Sequence, residues 1–151
     1  MQKRVIDADI YMPVLCDLLK QGKEVSLLIT GNSMSPFLIH GRDEIRISPP
    51  DGQWKKGDMA FFRRKDGFYV MHRIVRVNAG GKCFFVGDGQ IAIEGPIEPE
   101  QIFGKITAVK RKGQWIGPGN FWWEFFEHIW IHVIPVRVVI RKIYGVVTFW
   151  K

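Results

Sequence analysis

Apolar and polar positions along the first part of the chain follow a helical period. Within residues 5–20, Ile10, Val14, Leu18 and Leu19 recur near helical spacing, while Asp7, Asp9, Asp17 and Lys20 fall between them. This spacing predicts a short amphipathic helix whose apolar stripe packs on a core. Gln21-Gly22-Lys23 ends it. The period then becomes extended. Residues 24–30 hold a short apolar run, Val25, Leu27, Leu28 and Ile29, cut off by Gly31. Residues 43–48 alternate, with Ile45 and Ile47 on one face and Glu44 and Arg46 on the other, the pattern of a half-buried strand. Residues 59–63, 68–77, 82–86 and 102–110 read as further strands. Lys65-Asp66-Gly67 and Asn78-Ala79-Gly80-Gly81 read as hairpin turns between them, and Gly87-Asp88-Gly89-Gln90 as a further turn. A meander of this kind predicts a mainly β fold: a twisted sheet or open barrel with a short N-terminal helix.

From Phe121 the texture changes. Trp122, Phe125, Phe126, Ile129, Trp130 and Val133 lie at helical spacing, with Glu124, Glu127, His128 and His132 gathered on the other side. Pro135 interrupts, and Val136, Val139, Ile140, Ile143, Tyr144 and Val147 form a second stripe against Arg137 and Arg141. The division falls near Gly117-Pro118-Gly119, giving a β-domain over residues 1–117 and an amphipathic helical tail over 118–151. The tail has two readings: a helix pair covering the domain, or a segment in the membrane interface with aromatics down and cations at the headgroups. The second is favoured slightly, as peripheral contact through residues 121–150.

Composition narrows the classes. The chain has 151 residues, enough for one domain, and its 46% apolar and 25% charged content excludes a disordered or polytopic membrane protein. A net charge of +7 favours acidic partners. Two cysteines, Cys16 and Cys83, build no disulfide framework and fit a reducing compartment. Charges throughout residues 1–19 speak against a secretory signal or membrane anchor there. Together these point to the cytoplasm, at most peripheral to the inner face of a membrane.

Chemistry concentrates at Gly31-Asn32-Ser33-Met34-Ser35-Pro36, a break directly after a strand. A loop at a strand end can present a hydroxyl together with free backbone N–H groups, the two things a serine nucleophile needs besides a base. Ser33-Met34-Ser35-Pro36-Phe37-Leu38 resembles the Ser-Met-x-Pro-Thr-Leu box of type I signal peptidases and their LexA-like relatives. Gly57-Asp58-Met59-Ala60-Phe61-Phe62 resembles the Gly-Asp-x-Val-x-Phe strand that follows, and Val70-Met71-His72-Arg73-Ile74-Val75 the His-Arg-Ile/Val-Val strand. Gly87-Asp88-Gly89-Gln90 resembles the Gly-Asp-Asn box, and Gln101-Ile102-Phe103-Gly104-Lys105 the closing strand. Each stretch is weak alone; together they occur in family order over about residues 25–109.

The resemblance implies a serine peptidase with Ser33 as nucleophile and His72 as general base, closest to the endoplasmic-reticulum, archaeal and SipW-like branch that uses histidine rather than lysine. An unperturbed imidazole titrates near neutrality and needs little tuning to serve as a base. The branch also uses an acid to orient the imidazole. Glu94 is favoured for that role and Asp88 as a structural acid, although the two could be exchanged. The oxyanion would rest on backbone N–H groups of Ser33 and Asn32, and Met34 and Pro36 would border the substrate. Three departures stand out: Gly31 replaces a serine whose hydroxyl completes the oxyanion hole in many members, Phe37 replaces a threonine, and the N-terminal membrane anchor of signal peptidases is not expected here. The reaction needs no metal or organic cofactor. The partner implied is a peptide or protein substrate. Nucleic acid is not expected, because no helix-turn-helix fits before the first strand. His40, His128 and His132 read as bystanders.

Two rival readings remain. One is a catalytically silent peptide-binding module on the same fold. The other is a LexA-type self-cleaving switch, for which Ala79-Gly80 is the only Ala-Gly pair and lies in a predicted hairpin.

Overall fold

The structure, a computed structural model, describes residues 8–31 and 33–132. The start of the predicted N-terminal helix, Asn32 and the second apolar stripe after Pro135 lie outside these residues. In chain order the elements are α1 (Ala8–Lys20), β1 (Val25–Leu28), β2 (Glu44–Ser48), β3 (Met59–Arg63), β4 (Tyr69–Val77), β5 (Cys83–Val86), β6 (Glu94–Ile97), a single 3-10 turn (Pro99–Gln101), β7 (Ile102–Arg111), β8 (Gln114–Ile116) and α2 (Phe121–His128). The strands form one open, antiparallel eight-stranded sheet in the order β1-β2-β7-β3-β4-β5-β6, with β8 paired to β7. The mainly β architecture is the one the meander predicts.

The register explains the core. β3 is buried on both faces, and side chains alternate across a strand. Met59 and Phe61 therefore enter one cluster, with Ile45, Ile47, Phe37 and Val109, while Ala60 and Phe62 enter a second, with Ile74, Phe85 and Ile102. Both helices contribute to the first cluster: Met12, Leu15 and Leu19 from α1, Trp123 and Phe126 from α2.

Two helix faces differ from the expected ones. In α1 the buried residues are Met12, Leu15 and Leu19, and Val14 is exposed. In α2 the expected stripe includes Phe126 and Trp130, which are buried, but also Trp122 and Ile129, which are 47% and 55% exposed, while Trp123, outside that stripe, is buried. Glu127, expected on the polar side, is buried and bonded to Lys55 Nζ at 2.7 Å. A helix with aromatics on several sides offers more than one apolar face. Here the choice falls to Phe37, whose ring lies 4.7 Å from that of Phe126 and 6.3 Å from that of Trp123. Residues 121–132 thus cover the domain, the first of the two readings of the tail, while Phe121, Trp122 and Ile129 still face outward. Of the strands, β6 went unpredicted because Gly95-Pro96 breaks the strand pattern, and β8 because it is only three residues long.

If α2 is part of the core, Phe126→Ala should lower the unfolding free energy by about 3–5 kcal/mol. Ile129→Ala, on the outward face, should change it by about 0.5 kcal/mol or less. Urea unfolding of both variants checks this, and equal effects would contradict the packing.

Candidate active site

Ser33 follows β1 in a loop tied down on each side. Gly31 takes φ +85°, a region that a side chain disfavours, and its N–H donates to His40 Nδ1 at 2.8 Å. His40, expected as a bystander, therefore closes the start of the loop. The same φ explains why a glycine suits this backbone. The Ser33 carbonyl accepts from Gly89 N–H at 2.8 Å and lies so close to Gly87 that a Cβ there would collide with it. Beyond Ser33, Leu38 N–H donates to Met34 O at 2.9 Å, and the Ser35–Pro36 peptide is cis. Phe37, fully buried, has the guanidinium groups of Arg73 and Arg111 at 5.4 and 5.7 Å from its ring centre. The apolar Phe37 ring is the surface against which Trp123 and Phe126 of α2 pack.

His72 stands in β4 opposite Ala60 and is 6% exposed. Its ring lies edge-on to Phe62. Nδ1 is buried with no hydrogen-bond partner among the described residues. Burial pushes the imidazole down to about 4; Glu94 opposes the shift, Arg64 adds to it, and Asp88 opposes it. The side chain is thus neutral at neutral pH and able to accept a proton.

Neither candidate acid bonds to His72. Asp88 is fully buried and faces Arg73, itself 1% exposed: Arg73 Nε and Nη2 donate to its two oxygens at 2.8 and 2.9 Å. Arg73 Nη1 donates to Gly57 O at 2.9 Å, and Trp130 Nε1 donates to Asp88 O at 2.8 Å. Asp88 therefore fills a structural place. Glu94 accepts two bonds from Arg64, from Nε at 2.7 Å and Nη2 at 2.8 Å. The pattern Arg63-Arg64-Lys65 reads as solvated charge in the sequence, and nothing in it distinguishes Arg64; β6, which brings Glu94 to it, was itself unpredicted.

Ser33, Met34, Gly31 and His72 border one cleft of about 280 Å³. Its other walls are Leu27, Leu28, Ile29 and Thr30 on one side and Tyr69, Val70 and Met71 on the other, with Arg64 and Gln90. Pro36 is not among these lining residues, and Asn32 lies outside the described residues. Among the described residues, β1 pairs only with β2, and residues 69–72 of β4 pair only with β3, so two strand edges without strand partners there flank the cleft. A second hollow of about 440 Å³ continues past His72 to Arg64, Glu94, Ile91 and Ile93. Away from both, ligand atoms of Glu124, Glu127 and His128 lie within 4.8 Å of one another, and Lys55 Nζ, 2.7 Å from Glu127 Oε1, already pairs with that carboxylate.

No known family and no curated protein matches the chain. No helix among the described residues is long and apolar enough to cross a membrane.

Two predictions follow the electrostatics. The folded-state value of His72 lies below the 6.5 of an unperturbed imidazole, so the unfolded chain takes up the proton first as pH falls. The stability that neutral His72 contributes is complete above about pH 6.5 and lost progressively toward pH 4. Urea midpoints at several pH values in this window should fall for the unmodified chain more steeply than for His72→Gln; parallel curves would refute the assignment. Separately, Arg73→Leu leaves the Asp88 carboxylate buried without its cation and should cost about 3–5 kcal/mol, with Arg73→Leu/Asp88→Leu recovering part of the loss.

Proposed function

We propose that this chain is a serine endopeptidase of the signal-peptidase and LexA-like class, with Ser33 as nucleophile and His72 as general base. The observation that carries the reading is the shared cleft: Ser33 and His72, distant in sequence, border one space beside two open strand edges, and His72 is neutral. An extended peptide entering between β1 and β4 could pair with either edge, which brings its carbonyl groups alongside Ser33. Small side chains near the scissile bond fit a cleft of this volume. As Ser33 Oγ attacks the carbonyl carbon, its proton passes to His72. The oxyanion is held by backbone N–H groups of the loop, that of Ser33 first. His72 then protonates the leaving amine, and water, deprotonated by His72, releases the acyl group. The outward face of Phe121, Trp122 and Ile129, with the Arg111 guanidinium 5.2 Å from the Trp122 ring centre, supports peripheral contact with a membrane surface.

The unpartnered Nδ1 of His72 and the absent hydroxyl at Gly31 favour one second reading, a silent peptide-binding module on the same fold. Self-cleavage at Ala79-Gly80 has less support, since Asn78 Oδ1 accepts from Gly80 and Lys82 N–H and keeps that turn closed.

The discriminating experiment pairs a fluorogenic peptide of small residues with fluorophosphonate labelling read by intact mass. Turnover or labelling should be lost in Ser33→Ala and in His72→Ala. The acid limb of kcat/KM should fall near pH 4 rather than near 6.5. Peptide binding without any turnover by the folded chain supports the silent module. Turnover that survives Ser33→Ala means a different nucleophile.

A further inference from the structure

We propose that Arg64 recognises a carboxylate on the substrate and, in taking it, releases Glu94 to His72, so that an acidic peptide completes the catalytic group that cleaves it. The inference rests on the peptidase reading and names the substrate class: peptides with an Asp or Glu side chain near the scissile bond.

Arg64 is set at the start of the β3–β4 turn, where its N–H donates to Phe68 O at 2.8 Å and its carbonyl accepts from Gly67 N–H at 2.9 Å. From this fixed backbone its side chain borders both the cleft and the adjoining hollow, as His72 does. Its Nε and one Nη2 hydrogen are committed to Glu94, yet the side chain is 40% exposed, and a guanidinium has five N–H donors. A carboxylate arriving in the cleft meets a cation with donors to spare and a planar fork that fits it.

The exchange is balanced at Arg64. One carboxylate replaces another, and the number of charge-assisted bonds there is conserved. The gain lies at His72. Its buried Nδ1 has no partner among the described residues, and buried polar atoms are nearly always paired. Glu94 borders the same hollow as His72 and is already within electrostatic reach of it. Freed from Arg64, Glu94 is the group that can accept Nδ1–H. That bond fixes the tautomer with Nε2 unprotonated, the nitrogen then left for the Ser33 Oγ proton. When the proton arrives, Glu94 stabilises the imidazolium. No bond is made or broken in the exchange; the covalent chemistry is that of acyl transfer. The chain's charge of +7 brings acidic segments toward it.

The groups facing His72 are Glu94 from β6, Arg64 from the β3–β4 turn and Asp88 from the turn after β5, the last held by Arg73. Only the first two should change in the test. Matched fluorogenic peptides, identical except for Asp against Asn at each position around the scissile bond, are compared on the unmodified chain, Arg64→Gln, Arg64→Lys and Glu94→Gln. The unmodified chain should prefer an Asp peptide roughly 5–150-fold in kcat/KM, the usual range of coupling between two sites. Arg64→Gln should abolish the preference and cleave the Asn peptide faster. Arg64→Lys, a point charge without the fork, should keep only part of the preference. Glu94→Gln should lose the kcat gain while the advantage in KM remains. In parallel, the His72 imidazole should titrate at higher pH in Arg64→Gln than in the unmodified chain, followed by NMR without substrate. Equal cleavage of Asp and Asn peptides by an active chain overturns this inference and leaves the peptidase reading standing. An unchanged His72 titration in folded Arg64→Gln overturns the transfer of Glu94. A folded chain that cleaves no peptide overturns the peptidase reading, and this inference with it.

Discussion

The buried pair of Arg73 and Asp88 is the constraint on which the arrangement of the site depends. Both side chains are almost completely withdrawn from water, and removing two charges from water is favourable only where geometry and further hydrogen bonds compensate. Here they do. Asp88 takes a forked contact, Arg73 adds a bond to Gly57 O, and the Asp88 carbonyl receives Trp130 Nε1–H. Each partner lies beside one side of the candidate site. Arg73 is the residue after His72 and stacks on Phe37 of the Ser33 loop. Asp88 stands between Gly87 and Gly89, which hold the Ser33 carbonyl. One desolvated interaction thus ties together the histidine strand, the serine loop and the segment after α2. Such a pair adds little net stability over a well-packed apolar isostere, but it tolerates almost no displacement, and that intolerance gives the site its geometry.

Around this rigid centre the remaining charges are soft. Glu94 and Arg64 meet at a partly exposed position, where exchanging one carboxylate for another changes little in free energy. His72 sits between the two regimes: buried enough to stay neutral, yet without a partner for Nδ1 among the described residues. In the proposed peptidase, Ser33 and His72 belong to the rigid part, and Glu94, held by Arg64, to the part that can exchange partners. The C-terminal helix belongs to the rigid part, because Phe126 and Trp123 pack directly on Phe37 and so on the loop that carries Ser33.

Much of this fold is legible along the chain. Alternation in β2 and the turn dipeptides around β4 mark strands because half-buried strands and tight turns impose local rules on residue type. Where local rules conflict with pairing, legibility ends: Gly95-Pro96 looks like a loop and lies in an edge strand, where a missing donor is tolerated. Helix existence was readable, but helix facing was not. Val14 and Trp122 are as apolar as the residues that are buried in their place, and only the surface each helix meets separates them.

The site divides along the same line. Residue types and their order mark Ser33, His72 and the two acids as candidates, because a nucleophile, a base and a turn each demand particular side chains near particular backbone. Which acid does what is a question of pairing across the sheet. Asp88 and Glu94 are both carboxylates in or near a glycine-containing turn, indistinguishable by pattern. Tertiary structure sends one to a buried arginine on the neighbouring strand and the other to Arg64 at the start of the β3–β4 turn. Electrostatic partnership depends on distance and burial, neither of which is a local property of the chain. The sequence by itself therefore determined the strands, the turns and the chemical groups available, and only the folded arrangement decided which charges meet and which imidazole nitrogen is left without a partner.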